Sequence, residues 1–227
     1  MGEARITLAG ATLKARPSGA LHWPSERLLA VGDLHLGRAV AVARRGGAFL
    51  PPYADLDTLT RLAAEVDALD PATLLLLGDS FDDAASADTA AARLAGRIGA
   101  LAAGRRLVWV AGNHDPRPVA GLPGDWRAAF TAGSVTFRHI AEDARPGPGA
   151  AEVSAHYHPK ARLLCRGTAI GRRCFLADEA RLILPAFGTY TGGLDARDAA
   201  FDAILGPRAR ALMLGHRVVA VARARLA

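Results

Sequence analysis

Short apolar runs that stop at Gly or Pro recur along the 227-residue chain, as buried strands do. They are Leu28–Val31, Leu74–Leu77, Leu107–Ala111, Arg173–Leu176, Leu182–Leu184, Ala211–Leu214 and Val218–Ala222. Between the early runs the period becomes helical. Over Asp55–Leu69 the apolar positions are Leu56, Leu59, Leu62, Ala63, Val66 and Leu69, and over Ala87–Ala103 they include Leu94, Ile98 and Leu101, each set lining one helix face. Asp195–Leu205 reads as a shorter helix with Phe201, Ile204 and Leu205 as its buried side. The strand–helix alternation predicts parallel βαβ units in the first half. From about Val135 on, short strands separated by Gly and Pro take over. Arg145–Gly149 is a loop by its Pro and Gly content, too short to read as an interdomain linker. No solenoid-type repeat is present. The pattern gives an α/β chain forming one domain over residues 1–227, with two sheets.

Composition narrows the setting. Hydrophobic residues make up 51% of the chain and the mean hydropathy is +0.14, enough for a full core. No apolar run approaches the roughly 18 residues of a membrane span, and the first residues carry no apolar stretch of signal-peptide length. The expectation is a cytoplasmic protein with no membrane partner. The two cysteines, Cys165 and Cys174, are too few for a disulfide framework and are expected to be free. The net charge is +6 and the pI about 10.1. The lysines are only Lys14 and Lys160, so the cationic charge is arginine, which suits bidentate phosphate contacts. Attraction to a polyanion such as nucleic acid is one reading of this balance. Nucleotide bias in the source is the other, and charge alone does not choose.

The polar residues at the strand exits do more. Asp33 and His35 follow the first run, Asp79 and Asp82 the second, and Asn113, His114 and Asp115 the third. In an open parallel sheet, sites form at the carboxyl ends of the strands, so these residues are placed to share one. His156 and His158 would point the same way in an extended segment, and His139 lies between. Any one block has a plain structural reading as a cap, a turn or a surface histidine. Together they make a mixed nitrogen and oxygen donor set. Such a set suits Mn²⁺, Fe, Co or Zn better than Ca²⁺ or Mg²⁺ alone.

The blocks Gly-Asp33-x-His35, Gly-Asp79-x-x-Asp82, Gly-Asn113-His114-Asp115 and His156-x-His158 resemble the calcineurin-like metallophosphoesterase superfamily. The entry Leu21–Leu29, the block Leu-Gly-Asp-Ser-Phe, His-x-His-Pro159 and the late segment from Leu184 to Asp195 resemble one branch of it, the ligase-associated DNA damage response endonucleases. The resemblance implies a two-sheet α/β/β/α sandwich and two divalent metal ions, Mn²⁺ first, with Fe, Co or Zn as alternatives. It implies that Asp33, His35 and His158 hold one ion, that Asn113, His139 and His156 hold the other, and that Asp79 bridges them. His114 would be the acid that does not bind metal, with Asp82 or Asp115 orienting it and Arg38 meeting the substrate. Two positions depart from the branch pattern: Ala155 stands where Gly is usual, and Asp82 where His is frequent.

The implied function is a manganese-dependent endonuclease for single-stranded DNA in DNA repair and the DNA damage response, associated with a DNA ligase, a helicase and an exonuclease. The alternatives are a small-molecule or nucleotide phosphatase or phosphodiesterase, since fold does not fix substrate, and last a non-catalytic scaffold. Arg38, Arg44 and Arg45 read either as a nucleic-acid contact or as an exposed basic loop. Trp23 and Tyr190 are candidates for base stacking, with core packing the stronger reading for Trp23. Gly188–Gly193 reads as a loop at the site rim or a plain turn, and His216 as a residue outside the ligand set.

Overall fold

The structure, a computed structural model, describes residues 2–47 and 49–227. The first sheet runs in chain order from β1 to β7: Ala4–Leu8, Ala11–Ala15, Leu21–Trp23, Leu28–Val31, Thr73–Leu77, Arg106–Val110 and Asp125–Arg127. Its first four strands pair antiparallel and its last four parallel. The parallel strands β4, β5 and β6 are buried on both faces, which is why they read as unbroken apolar runs. Helices α1 (Arg38–Arg44), α2 (Ala54–Leu69) and α3 (Ala84–Ala102) are the crossover segments. Leu59, Leu62 and Val66 of α2 and Leu94, Ile98 and Leu101 of α3 pack against Leu29, Val31, Leu74, Leu76 and Trp109 on one face of the sheet. None of these helices is long and apolar enough to cross a membrane.

The second sheet has the order β15-β14-β12-β13-β10-β9-β8. Its strands are Val219–Ala222, Arg210–Met213, Thr168–Ala177, Arg181–Ile183, Ala151–Ser154, Val135–Arg138 and Ala129–Ala132, and β11 (Lys160–Cys165) pairs with β12 off this path. Leu28, Ala30, Leu75, Leu77, Val108 and Val110 of the first sheet meet Phe137, Val153, Phe175, Leu182 and Leu212 of the second. This inter-sheet layer is the main core and makes the molecule an α/β sandwich.

The segment expected as a helix over Asp195–Leu205 is instead turns around a 3₁₀ helix at Ala199–Phe201. The carboxylates of Asp195 and Asp198 accept from Arg197 N and Ala200 N, local bonds that compete with a helix. Phe201, Ile204 and Leu205 are nevertheless buried, covering Cys174, Leu176 and Met213 on the outer face of the second sheet. Cys165 and Cys174 are both free. The stretch after the first motif, read as a possible exposed basic loop, forms α1.

Candidate metal centre

Five strand ends converge on one place. Asp33 and His35 follow β4, Asp79 follows β5, Asn113 follows β6, His139 follows β9, and His156 and His158 follow β10. Three of these strands belong to the first sheet and two to the second. Main-chain bonds set the loops: Asp33 N donates to the Gly78 carbonyl at 3.1 Å, His35 N to the Asp79 carbonyl at 3.0 Å, and Leu36 N to the Ser80 carbonyl at 2.8 Å. Asp33, His35, Asp79, His156 and His158 all have positive φ, between 45° and 69°. A non-glycine residue in this region costs about 1–3 kcal/mol and is held there only by its surroundings.

Gly78 shows how tight the packing is. It has φ +75°, and a Cβ there would strike the imidazole of His139. Gly32 likewise leaves room for the methyl of Ala155, which is fully buried and lies outside the positive-φ set. The Ala found where Gly is usual is thus accommodated by packing against Gly32.

The ligand-type side chains fall into two groups, Asp33 with His35 and His158, and Asp79 with His139 and His156; within each group the ligand atoms lie within 4.8 Å of one another. His35 Nε2 and His158 Nε2 are 3.3 Å apart, and so are His156 Nδ1 and His139 Nε2. Asn113 Oδ1 joins the second group at 3.0 Å from His139 Nε2. His139 Nε2 is also 3.2 Å from Asp79 Oδ2, and His158 Nε2 is 3.2 Å from Asp33 Oδ1. Imidazole nitrogens facing one another across buried carboxylates fit a shared cation, so the donor sets suit two metal ions. The outer nitrogens support this. His139 Nδ1 lies 3.1 Å from the Leu77 carbonyl, the kind of partner that fixes the orientation of a metal-binding histidine, and His35 Nδ1 has the Asp82 carboxylate beside it, 3.2 Å away but off the line of a hydrogen bond. For Asp79, burial pushes the carboxyl up, but His139 and the amide of His114 outweigh it and bring it to about 2.

His114 lies beside these groups. Its Nδ1 donates to the main-chain carbonyl of Asp82 at 2.5 Å, and its Nε2 is 3.9 Å from Asp79 Oδ2. Of the two residues expected to orient this ring, Asp82 holds it, through its main-chain carbonyl and not its carboxylate. The Asp82 carboxylate, fully buried, turns to His35, Arg38 and Arg45. Burial pushes its carboxyl up, but His35 and Arg38 outweigh this and hold it well below the usual carboxylate range. Asp115 accepts instead from the amides of Ser80, Phe81 and Gly112 and so ties the β5 and β6 loops together. Burial, with the nearby Asp79 charge, pushes its carboxyl up to about 6.

The arginines after the first motif are largely spent on acids. Arg38 pairs with Asp82 at 2.6 Å and donates to the Tyr190 carbonyl at 3.1 Å. Arg45 pairs with Asp82, and Arg44 with Asp83. The loop Gly188–Gly193 is fixed at the rim: Gly188 N donates to the Asp33 carbonyl, and a Cβ on Gly193 would strike the His158 carbonyl. Tyr190 is exposed there, whereas Trp23 is buried with its ring 6.4 Å from that of Phe137. His216 is exposed and belongs to neither ligand group. Two features escaped the sequence reading: the support of His35 by Asp82, and a cationic β-hairpin at Lys160–Arg173. An Arg166-Gly167 pair between strand-like stretches was the available signal for the hairpin.

A family model described as calcineurin-like phosphoesterase matches residues 26–166. No curated protein matches the chain. Among solved structures, the nuclease MPE of Pseudomonas putida superposes with a TM-score of 0.73 at 23% sequence identity, over 96% of this chain and 100% of that one. At this identity the likeness is one of fold. The family match spans well over half of the chain and includes all the ligand-type side chains described above, so the chain belongs to the calcineurin-like phosphoesterase family.

Proposed function

We propose that this metallophosphoesterase is a nuclease that cuts phosphodiester bonds in single-stranded DNA, with two manganese ions as cofactors and a role in DNA repair. The observation that carries the reading is the pair of buried carboxylate–imidazole groups with His114 at their edge. The DNA substrate draws support from the +6 charge, from the late segment Leu184–Asp195, and from the nuclease whose fold the chain shares. Bound divalent cations supply Lewis acidity toward a phosphoryl oxygen and an acidified water.

The chain's own residues do the rest. Asp33, His35 and His158 would hold one ion, and Asp79, Asn113, His139 and His156 would hold the other. The Leu77 carbonyl keeps His139 in register, and the Asp82 carboxylate lies beside His35. His114 has its Nδ1 proton committed to the Asp82 carbonyl, so when protonated it offers the Nε2 proton to the departing oxygen, which general acid catalysis requires. Arg38 has its Nε and Nη1 engaged; its remaining Nη2 donors are available to a phosphate oxygen.

The test uses the purified chain with Mn²⁺, Mg²⁺ or no metal, on circular single-stranded DNA and on bis-p-nitrophenyl phosphate. Metal-dependent opening of the circle is the expected result. Hydrolysis of the ester with the circle always left intact would leave a small-molecule phosphodiesterase and sink the nuclease reading. Hydrolysis of neither would favour a non-catalytic scaffold.

A further inference from the structure

The arginines beside the first motif and those of the β11–β12 hairpin differ in their partners. Those beside the first motif are paired with Asp82 and Asp83. By contrast Lys160, Arg162, Arg166, Arg172 and Arg173 all fall within the β11–β12 hairpin, and among the described residues none of them pairs with a carboxylate. Lys160 even stands directly opposite Arg173 in the ladder. Like charges directly opposite one another destabilise a sheet; here each is turned to a main-chain carbonyl, Lys160 to Thr191 and Arg173 to Ala186, and their charges stay without a counter-ion.

The tip of the hairpin stands clear of the sandwich, while Ala161 at its base is buried. β12 is exposed from Thr168 to Arg172 and buried only from Cys174 on. Opposed residues share a face, so Lys160, Arg162 and Leu164 line up with Arg173, Gly171 and Ala169. Gly171 places no side chain across from Arg162, and the space beside it is open. A cavity of about 510 Å³ lies here, lined by Lys160, Arg162, Arg172, Arg173, Gly193 and Asp195 among others. Asp195, its one acid, already pairs with Arg197. Gly193 also lines the adjoining hollow that contains His156 and His158, so the groove opens onto the metal-ligand loop. At its outer end Leu164 is 64% exposed.

We propose that this groove binds the sugar–phosphate backbone of single-stranded nucleic acid and leads it to the metal centre; the proposal rests on the nuclease reading above. Charge selects a polyanion. The exposed Leu164 at the outer end favours a single strand, whose unpaired bases are free to meet an apolar side chain. Same-face residues of a strand recur about every 7 Å, so one extended chain can meet Lys160 and then Arg162 in turn. Arg173 is anchored on the Ala186 and Phe187 carbonyls and sets positive charge in the groove wall. Arg162, exposed and on the Lys160 face, makes the outer contact, and Arg172, exposed on the alternate face at the edge of the cavity, adds charge beside it. Leu164, on the same face as Arg162, offers apolar surface to bases at the tip.

The test is anisotropy of a labelled 20-nucleotide oligothymidylate with the full chain in EDTA, across a salt series, so that binding is read without cleavage. Arg162→Ala and Arg172→Ala should each lower the slope of log K against log salt by about 0.7, and together should weaken binding about tenfold. Arg97→Ala, which removes one exposed charge from α3, should change neither. Binding by the double variant as tight as by the unaltered chain overturns the proposal. So does an equal loss in Arg97→Ala, because net charge and not the groove would then govern binding. Tighter binding of a duplex of the same length overturns the single-strand assignment. Failure of the nuclease reading would appear elsewhere, as an intact circle in the cleavage assay.

Discussion

His114 hangs from the main-chain carbonyl of Asp82, not from its carboxylate, while that carboxylate points away to His35 and two arginines. One residue thus supports two histidines through two different groups, and substitution separates them. In Asp82→Asn the carbonyl stays, so His114 keeps its partner, but His35 loses its anionic support. Metal affinity should fall about 10–100-fold, as for other partners of metal-binding histidines. Turnover at saturating metal should fall far less. Calorimetric Mn²⁺ titration and saturating-metal kinetics read the two effects apart.

His114→Ala should give the opposite profile. Metal affinity should stay within about threefold of the unaltered chain, while turnover on a substrate with a poor leaving group drops about 10²–10⁴-fold, the usual worth of a general acid. A p-nitrophenyl ester, whose leaving group needs no proton, should be affected much less. Full activity on DNA would rule His114 out as the acid.

Adding metal should stabilise the chain. An ion at about 100 times its Kd contributes about 2.7 kcal/mol, which for a chain of this size raises Tm by about 5–10 °C. In Asp79→Ala, which strips the carboxylate from the second group, the rise should shrink by at least half. A full rise in that variant, measured by calorimetry with Mn²⁺, would place the ion elsewhere.

Asp178 lies far from this chemistry and carries a clean pH signature. Its buried carboxylate accepts from the amides of Ala180, Arg181 and Gly206 and pairs with Arg145. Burial pushes its carboxyl up, but these donors outweigh burial and hold it below the ordinary aspartate value. A lowered folded pKa means that the stabilisation is complete above the unfolded value of about 3.9 and is lost as the pH falls through the folded one. Asp178→Asn should therefore cost about 1–3 kcal/mol, equally at pH 7 and pH 5, with the gap closing only below about pH 4. Denaturant midpoints at a series of pH values test this, and a gap that closes between pH 7 and 5 would refute it.

Much of the centre was legible in the sequence because its residues leave short buried strands. An apolar run ending in Gly-Asp or Gly-Asn-His announces both the strand and its exit. The N-terminal hairpin was missed for the converse reason: Ile6, Leu8, Leu13 and Ala15 alternate with exposed or half-exposed residues and make no continuous run. Helix α1 was missed because, short and Arg- and Ala-rich, it buries only Ala41. At Asp195–Leu205 the buried residues were right and the helix was wrong, since apolar spacing does not register the side-chain bonds of Asp195 and Asp198. Which way Asp82 faces lay beyond any motif: Arg45, a helix away in sequence, helps to decide it.

Each ligand group draws on both sheets. Asp33 and His35 come from the first and His158 from the second; Asp79 comes from the first and His139 and His156 from the second. Neither half of the molecule can assemble a complete group, so an ion can be captured only after the two sheets have docked. A chain still emerging or half folded is accordingly unarmed, and a bound ion acts as a rivet that certifies the finished sandwich. For a hydrolase of phosphoester bonds, coupling competence to completion in this way is a safeguard written into the topology.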